Sequence, residues 1–252
     1  MENQNMFWSL VRHNLKGNRR NRPWHIKPWR TVYIVFVLLI LVVVSTYAGL
    51  YLKDPIDLSV VWFFTFGLPF MAFGKATSLI VYEWRNGTVG WWLSLPMSRI
   101  SLITAKYVAA LLRTMQFFIL SFFLIAFLGL YTMFLKGSFS AQASTAFLMT
   151  GLKWYGLLIC LCPITGAFGV LLGVLRESRI RPALPLIWGA IGTIWWLVSI
   201  HGAGFLHFKV VNGHMAVFHP TLMLLYPFAA SLMIAYVMIY LSAYLLCRQL
   251  AL

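Results

Sequence analysis

Few residues in this chain could carry acid–base, metal or thiol chemistry: five carboxylates, six histidines and three cysteines in 252 residues. The acids are Glu2, Asp54, Asp57, Glu83 and Glu177, and each falls in a tail, a loop or the end of an apolar run. A proton-coupled carrier, or a protease working inside the bilayer, places carboxylates at membrane depth, where their cost signals function. No acid here has that setting. His201, His207, His214 and His219 are spaced by six, seven and five residues, so none pairs at helical i, i+4 spacing and no acid accompanies them. They read as ordinary loop histidines, with weak metal binding or pH sensing as the alternative. Cys160, Cys162 and Cys247 sit inside apolar runs without ligand or disulfide spacing and read as small core residues. G-x-S-x-G is absent. Gly74-Lys75-Ala76-Thr77 resembles the end of a phosphate-binding loop. However, Pro69 replaces the first glycine, Ala76 replaces the hydroxyl residue, and the run is apolar. These residue types argue against a catalytic centre in this chain.

The medium that must position these residues is set by composition. With 61% hydrophobic and 10% charged residues and a mean hydropathy of +0.83, the chain is far from a soluble domain, whose charged share is about 25%. Each helical crossing takes about 20 apolar residues, which leaves room for about six spans and short loops. The expected fold is an all-α integral membrane protein with six transmembrane helices. Residues 1–30 form a basic leader and 31–252 the membrane domain.

In the leader, Phe7, Leu10, Val11 and Leu15 recur near helical spacing while Arg12, His13 and Lys16 lie elsewhere on the wheel. That pattern predicts an amphipathic helix on the inner membrane surface, with a frayed basic tail as the alternative. Spans are expected at about Thr31 to Tyr51, Leu58 to Val81, Lys106 to Phe134, Ala146 to Leu175, Pro182 to Ile200 and Pro220 to Cys247. The first apolar run is too long for a signal peptide. Trp24 and Trp29 are placed to sit at headgroup level.

Charge orients the chain. Of its 20 Lys and Arg, fourteen lie before span one, around Glu83, after span four or at the end, against Lys53, Lys136, Lys153 and Lys209 on the other side. The positive-inside rule then puts both termini in the cytoplasm of a multi-pass protein. The net charge of +15 is better explained by anionic headgroups than by nucleic acid, because the basic residues flank the spans. Gly169 and Gly173 form G-x-x-x-G, with Gly166 a turn earlier and Gly189 and Gly192 in the next span. Such small residues let helices approach closely, within one subunit or between two.

One polar interruption stands out: EWRNGTVGWWLSLPMSRISLITAKY, from Glu83 to Tyr107. Gly87 and Gly90 permit turns, Pro96 opens a new segment, and Arg85, Arg99 and Lys106 are expected to hold it on the water side. Glu83 is either a helix-end acid offset by Arg85 or Lys106, or one half of a buried pair that shapes the segment. Trp91 and Trp92 can anchor in headgroups, meet a partner, or divide these roles.

The order E-x-x-N-G-T, an apolar patch, P-M-S-R and then A-K-Y resembles the segment after the second transmembrane helix of ABC-2 type transporter permeases. The matching residues are Glu83, Asn86, Gly87, Thr88, Leu95, Pro96, Ser98, Arg99 and Lys106. This motif spans about a tenth of the chain, and the six-span plan extends the likeness to nearly all of it. The resemblance implies a coupling segment at about 83–106 that docks on a separate ATPase. Trp91 and Trp92 would belong to that surface.

It also implies two ATPase subunits that bind ATP and magnesium, no cofactor in this chain, and a second permease subunit, identical or paralogous. The location implied is the bacterial cell membrane, and export is the commoner direction. Aromatic-rich spans suit an amphipathic or hydrophobic cargo such as a peptide antibiotic or a lipid. A non-transporting sensor, immunity protein or scaffold would explain the spans equally well, but it gives no reason for the long segment. A membrane enzyme comes third.

Overall fold

The structure is a computed structural model that describes residues 2–16, 26–51, 58–186, 188–189, 209–211, 214–216 and 225–248. It is mostly helical. In chain order the elements are α1 (Glu2–Lys16), α2 (Ile26–Tyr51), a 3₁₀ helix (Leu58–Gly67), α3 (Leu68–Arg85) and α4 (Val89–Leu93). There follow α5 (Arg99–Leu135), α6 (Ala141–Arg176), a short antiparallel pair β1 (Lys209–Val211) and β2 (His214–Ala216), and α7 (Leu225–Arg248). Among the described residues five helices are long and apolar enough to cross a bilayer: Thr31–Tyr51, Val61–Arg85, Arg99–Leu135, Ala141–Arg176 and Phe228–Arg248. The expected fifth span, Pro182 to Ile200, lies largely outside the described residues, as do His201, His207, His219 and Gly192.

At about 1.5 Å per residue the 37 residues of α5 reach about 55 Å, against a hydrocarbon core of about 30 Å. This helix is therefore longer than a single crossing of the apolar layer needs. It starts at Arg99, seven residues before the expected Lys106, because Ser98 caps it by accepting from the Ser101 amide at 3.3 Å. Ser140 caps α6 in the same way, through the Ala143 amide at 3.1 Å. The expected second span is not one continuous helix. Pro69 has no N–H and crowds the carbonyl four residues back, so the chain enters α3 through ten residues of 3₁₀ helix. That entry is tied down where Thr65 donates to the Trp62 carbonyl at 2.6 Å and receives the Trp154 indole N–H at 3.1 Å.

The core forms around α6, which packs on α3 and α7. One cluster, at the basic end, joins Ile80, Trp92, Leu102, Ile103, Leu175 and Leu246. A second, aromatic cluster toward the other end joins Trp62, Phe118, Phe147 and Tyr155. The glycine stripe of α6 serves this packing within the chain. A Cβ on Gly169 would run into the backbone of Phe73, one on Gly173 would lie 2.9 Å from Ile80 Cβ, and one on Gly166 3.2 Å from Tyr107. The stripe therefore meets α3 and α5. Gly189, beyond α6, has no described atom within 4 Å of a built Cβ. Thr77 and Thr165 fasten the same contact, donating to Gly169 O at 2.8 Å and Pro69 O at 2.9 Å. Gly169→Val is accordingly expected to lower stability by about 1–3 kcal/mol or more, since backbone must move. Gly74→Ala, in open space inside α3, should hold or slightly raise the melting midpoint in detergent. Equal midpoints for both variants would disprove the close α3–α6 contact.

The amphipathic stripe of α1 forms as expected but meets protein. Val11 is buried against Ala105 and Ala109 of α5, with Phe7, Leu10 and Leu15 around it. Trp8, Arg12 and His13 remain exposed on the opposite face. Cys162 is buried, whereas Cys247, expected in the core, is exposed. The Gly74–Thr77 stretch is an interior turn of α3 with Ala76 buried, a geometry that offers no row of free amides.

Candidate functional site

The segment between α3 and α5 is built from its sequence in three steps. First, α3 ends in a Schellman turn, with Asn86 at the C-cap and Gly87 at φ 66°. The Gly87 amide donates to Trp84 O at 3.2 Å and the Thr88 amide to Glu83 O at 3.0 Å. Each letter of E-x-x-N-G-T therefore has a place in that turn. Gly90, by contrast, is an ordinary residue of α4.

Second, Glu83 is held from both sides. Thr88 Oγ1 donates to its Oε2, and Lys106 Nζ donates to its Oε1 at 2.6 Å. Lys106 also donates to Leu79 O at 2.9 Å and sits 4.7 Å from the centre of the Trp92 ring. Its side chain is 1% exposed, so the lysine expected on the water side is instead a buried tie between α3 and α5. A buried ammonium is tolerated only when its donors are met, and carboxylate, carbonyl and ring face together meet them.

Third, α4 is clamped at its far end, where Arg99 Nη1 donates to Leu93 O at 2.6 Å and the Ser94 amide donates to Gly90 O at 3.0 Å. The two tryptophans separate. Trp92 is 1% exposed in the basic-end core, edge-on to Trp84, while Trp91 is 61% exposed.

The eleven residues singled out from sequence thus divide by role. Glu83, Trp92, Arg99 and Lys106 are internal ties. Gly87, Thr88, Asn86 and Ser98 shape the turn and the start of α5 while lying exposed, and Leu95 is half-buried against the core. Trp91 and Pro96 are exposed, as is Ile100 in the first turn of α5. The glycines Gly166, Gly169 and Gly173 lie inside the bundle and take no part in this surface.

Sequence reasoning missed that the end of α7 joins the site: Leu246, Cys247 and Arg248 line one cleft with Gly90, Leu93 and Arg99. The available signal was the basic last turn of α7, which shares the basic ends of α3 and α6. Comparisons with protein-family models, with curated proteins and with solved structures each find no match to this chain.

Proposed function

We propose that this chain is the membrane permease subunit of a bacterial ABC-2 type transporter, with six spans and both termini in the cytoplasm. It would be driven by a separate ATPase that docks on the 83–106 segment. The observation that carries the reading is the construction of that segment. A short helix with an outward tryptophan is braced on the ends of three long helices by the Glu83–Lys106 tie, the Arg99 clamp and the buried Trp92. Force applied at Trp91 would reach α3, α5 and α7 together, as rigid-body rocking of the spans requires. α1 packs on the same part of α5 and would move with it. An exposed apolar residue between polar turns is also the usual form of an interface anchor. Two permease subunits and two ATPase subunits would complete the assembly, exporting an amphipathic or hydrophobic cargo. ATP and magnesium would be bound by the ATPase.

Coexpression with an ATP-binding-cassette ATPase encoded beside this chain tests the proposal. The two should copurify, and magnesium-dependent hydrolysis in lipid should require the ATPase. The isolated chain should neither bind nor hydrolyse ATP at physiological salt, where charge attraction is screened within about 8 Å. Saturable hydrolysis by the isolated chain would overturn the permease assignment. Purification free of any ATPase would favour the non-transporting sensor or scaffold.

A further inference from the structure

The end of α7 and the segment before α5 enclose a partly open cleft of about 540 Å³, lined by Gly90, Leu93, Arg99, Leu246, Cys247 and Arg248 among others. That volume falls within the roughly 300–1,000 Å³ usual for small-ligand sites. Arg99 and Arg248 line it from segments far apart in sequence, and among the described residues no carboxylate lines it. The ion pairs among the described residues, Lys106–Glu83 and Arg176–Glu177, involve neither arginine. Arg99 commits one donor to Leu93 O, and a guanidinium carries five. Arg248 lies 5.1 Å from the Tyr244 ring centre, a stacking that orients its plane without using its N–H groups.

Two planar cations with no ion-pair partner among the described residues suit an oxyanion, and at a membrane surface the phosphate of a headgroup meets that geometry. Leu93 and Leu246 add apolar wall beside the polar Ser94, and exposed Trp91 and Ile100 adjoin it along the chain. A free phosphate has no use for such a wall, whereas a glycerophospholipid does. The cleft also lies at the basic ends of the helices, where headgroups reside.

We propose that it binds the phosphate-bearing headgroup of an anionic phospholipid, with Arg99 and Arg248 holding the phosphate. A lipid seated there adds a bridge between the segment before α5 and the end of α7. This assignment does not rest on the transporter reading.

The full chain in nanodiscs of phosphatidylcholine, with or without phosphatidylglycerol, tests it by native mass spectrometry and melting midpoint. Wild type should retain phosphatidylglycerol selectively and melt higher in its presence. Arg248→Gln should lower that retention about tenfold, the worth of one charge-assisted contact of about 1.4 kcal/mol. Arg248→Gln is the primary variant because Arg99→Gln also removes the clamp on Leu93 O. Arg179→Gln, an exposed cation outside the cleft, should change nothing. An equal fall with Arg179→Gln would reduce the effect to general surface charge and overturn the site. If inorganic phosphate in phosphatidylcholine discs reproduced the stabilisation, and phosphatidylglycerol then added none, the cleft would be a free-anion site and the lipid assignment would be wrong.

Discussion

Lys106→Met is expected to cost about 3–5 kcal/mol, the usual penalty for removing one partner of a buried ion pair. Little of that loss comes from the attraction itself, because two buried charges also suffer desolvation. It comes from what remains: Glu83, with 16% side-chain exposure, would keep a negative charge with only Thr88 to answer it. Leu79 O would lose its side-chain donor, and the Trp92 ring its cation. Against a total stability of about 5–15 kcal/mol, such a loss takes a large share of the folding margin. The second variant separates mechanism from mere disruption. Glu83→Gln with Lys106→Met removes both charges together, keeps similar volumes, and should recover more than half of the lost stability. Heat or denaturant unfolding in detergent, run as a double-mutant cycle, should return a coupling of about 2 kcal/mol or more. Arg85→Gln, exposed on the same turn, is the control and should stay within about 0.5 kcal/mol. A double variant no better than Lys106→Met alone would show that the two charges do not act as a pair.

That pair marks the boundary of what the sequence could express. The turn after α3 was legible because its chemistry is local. Asn, Gly and Thr occupy the C-cap and the two positions beyond it, and only glycine adopts φ 66° without strain. The apolar lengths of α2, α5, α6 and α7 were legible for the same reason, since a bilayer demands them residue by residue. Lys106 was not. A lysine at the start of an apolar run has two physically sound homes, the headgroup layer and a paired interior site. What decides between them is Leu79, Glu83 and Trp92, which the fold brings together from elsewhere in the chain.

The glycines of α6 teach a similar lesson from the other direction. G-x-x-x-G announced a close approach but not its partner. The pattern alone suited Gly189 as well as it suited the backbone of Phe73. Likewise the stripe of α1 specified an apolar counterpart, and lipid and Ala105–Ala109 satisfy that demand equally. Sequence patterns of this kind specify what a surface needs, and tertiary packing chooses what supplies it.

Trp91 and Trp92 turn the docking proposal into a contrast between neighbours. Adjacent on a five-residue helix, they have contrasting surroundings: one is 61% exposed and the other 1%. Sequence alone made Trp92→Ala the natural probe of docking, and its burial removes that use. Trp92→Ala should leave a cavity beneath Lys106 and beside Trp84, and lower stability by about 3–5 kcal/mol. Any loss of partner binding would then follow from unfolding. Leu95→Asp suffers the same confusion, because Leu95 is half-buried against the core. Trp91→Ala touches no core contact and should hold the melting midpoint within the error of about 0.5 kcal/mol. If the ATPase seats on this face, however, truncating a central aromatic anchor should cost about 2 kcal/mol or more, close to a thirtyfold loss of affinity. Titration of the ATPase against the chain in nanodiscs, with melting curves run in parallel, reads both quantities from the same preparations. Full ATPase affinity in Trp91→Ala, with the fold intact, would move the docking surface away from α4 and leave the segment a structural brace.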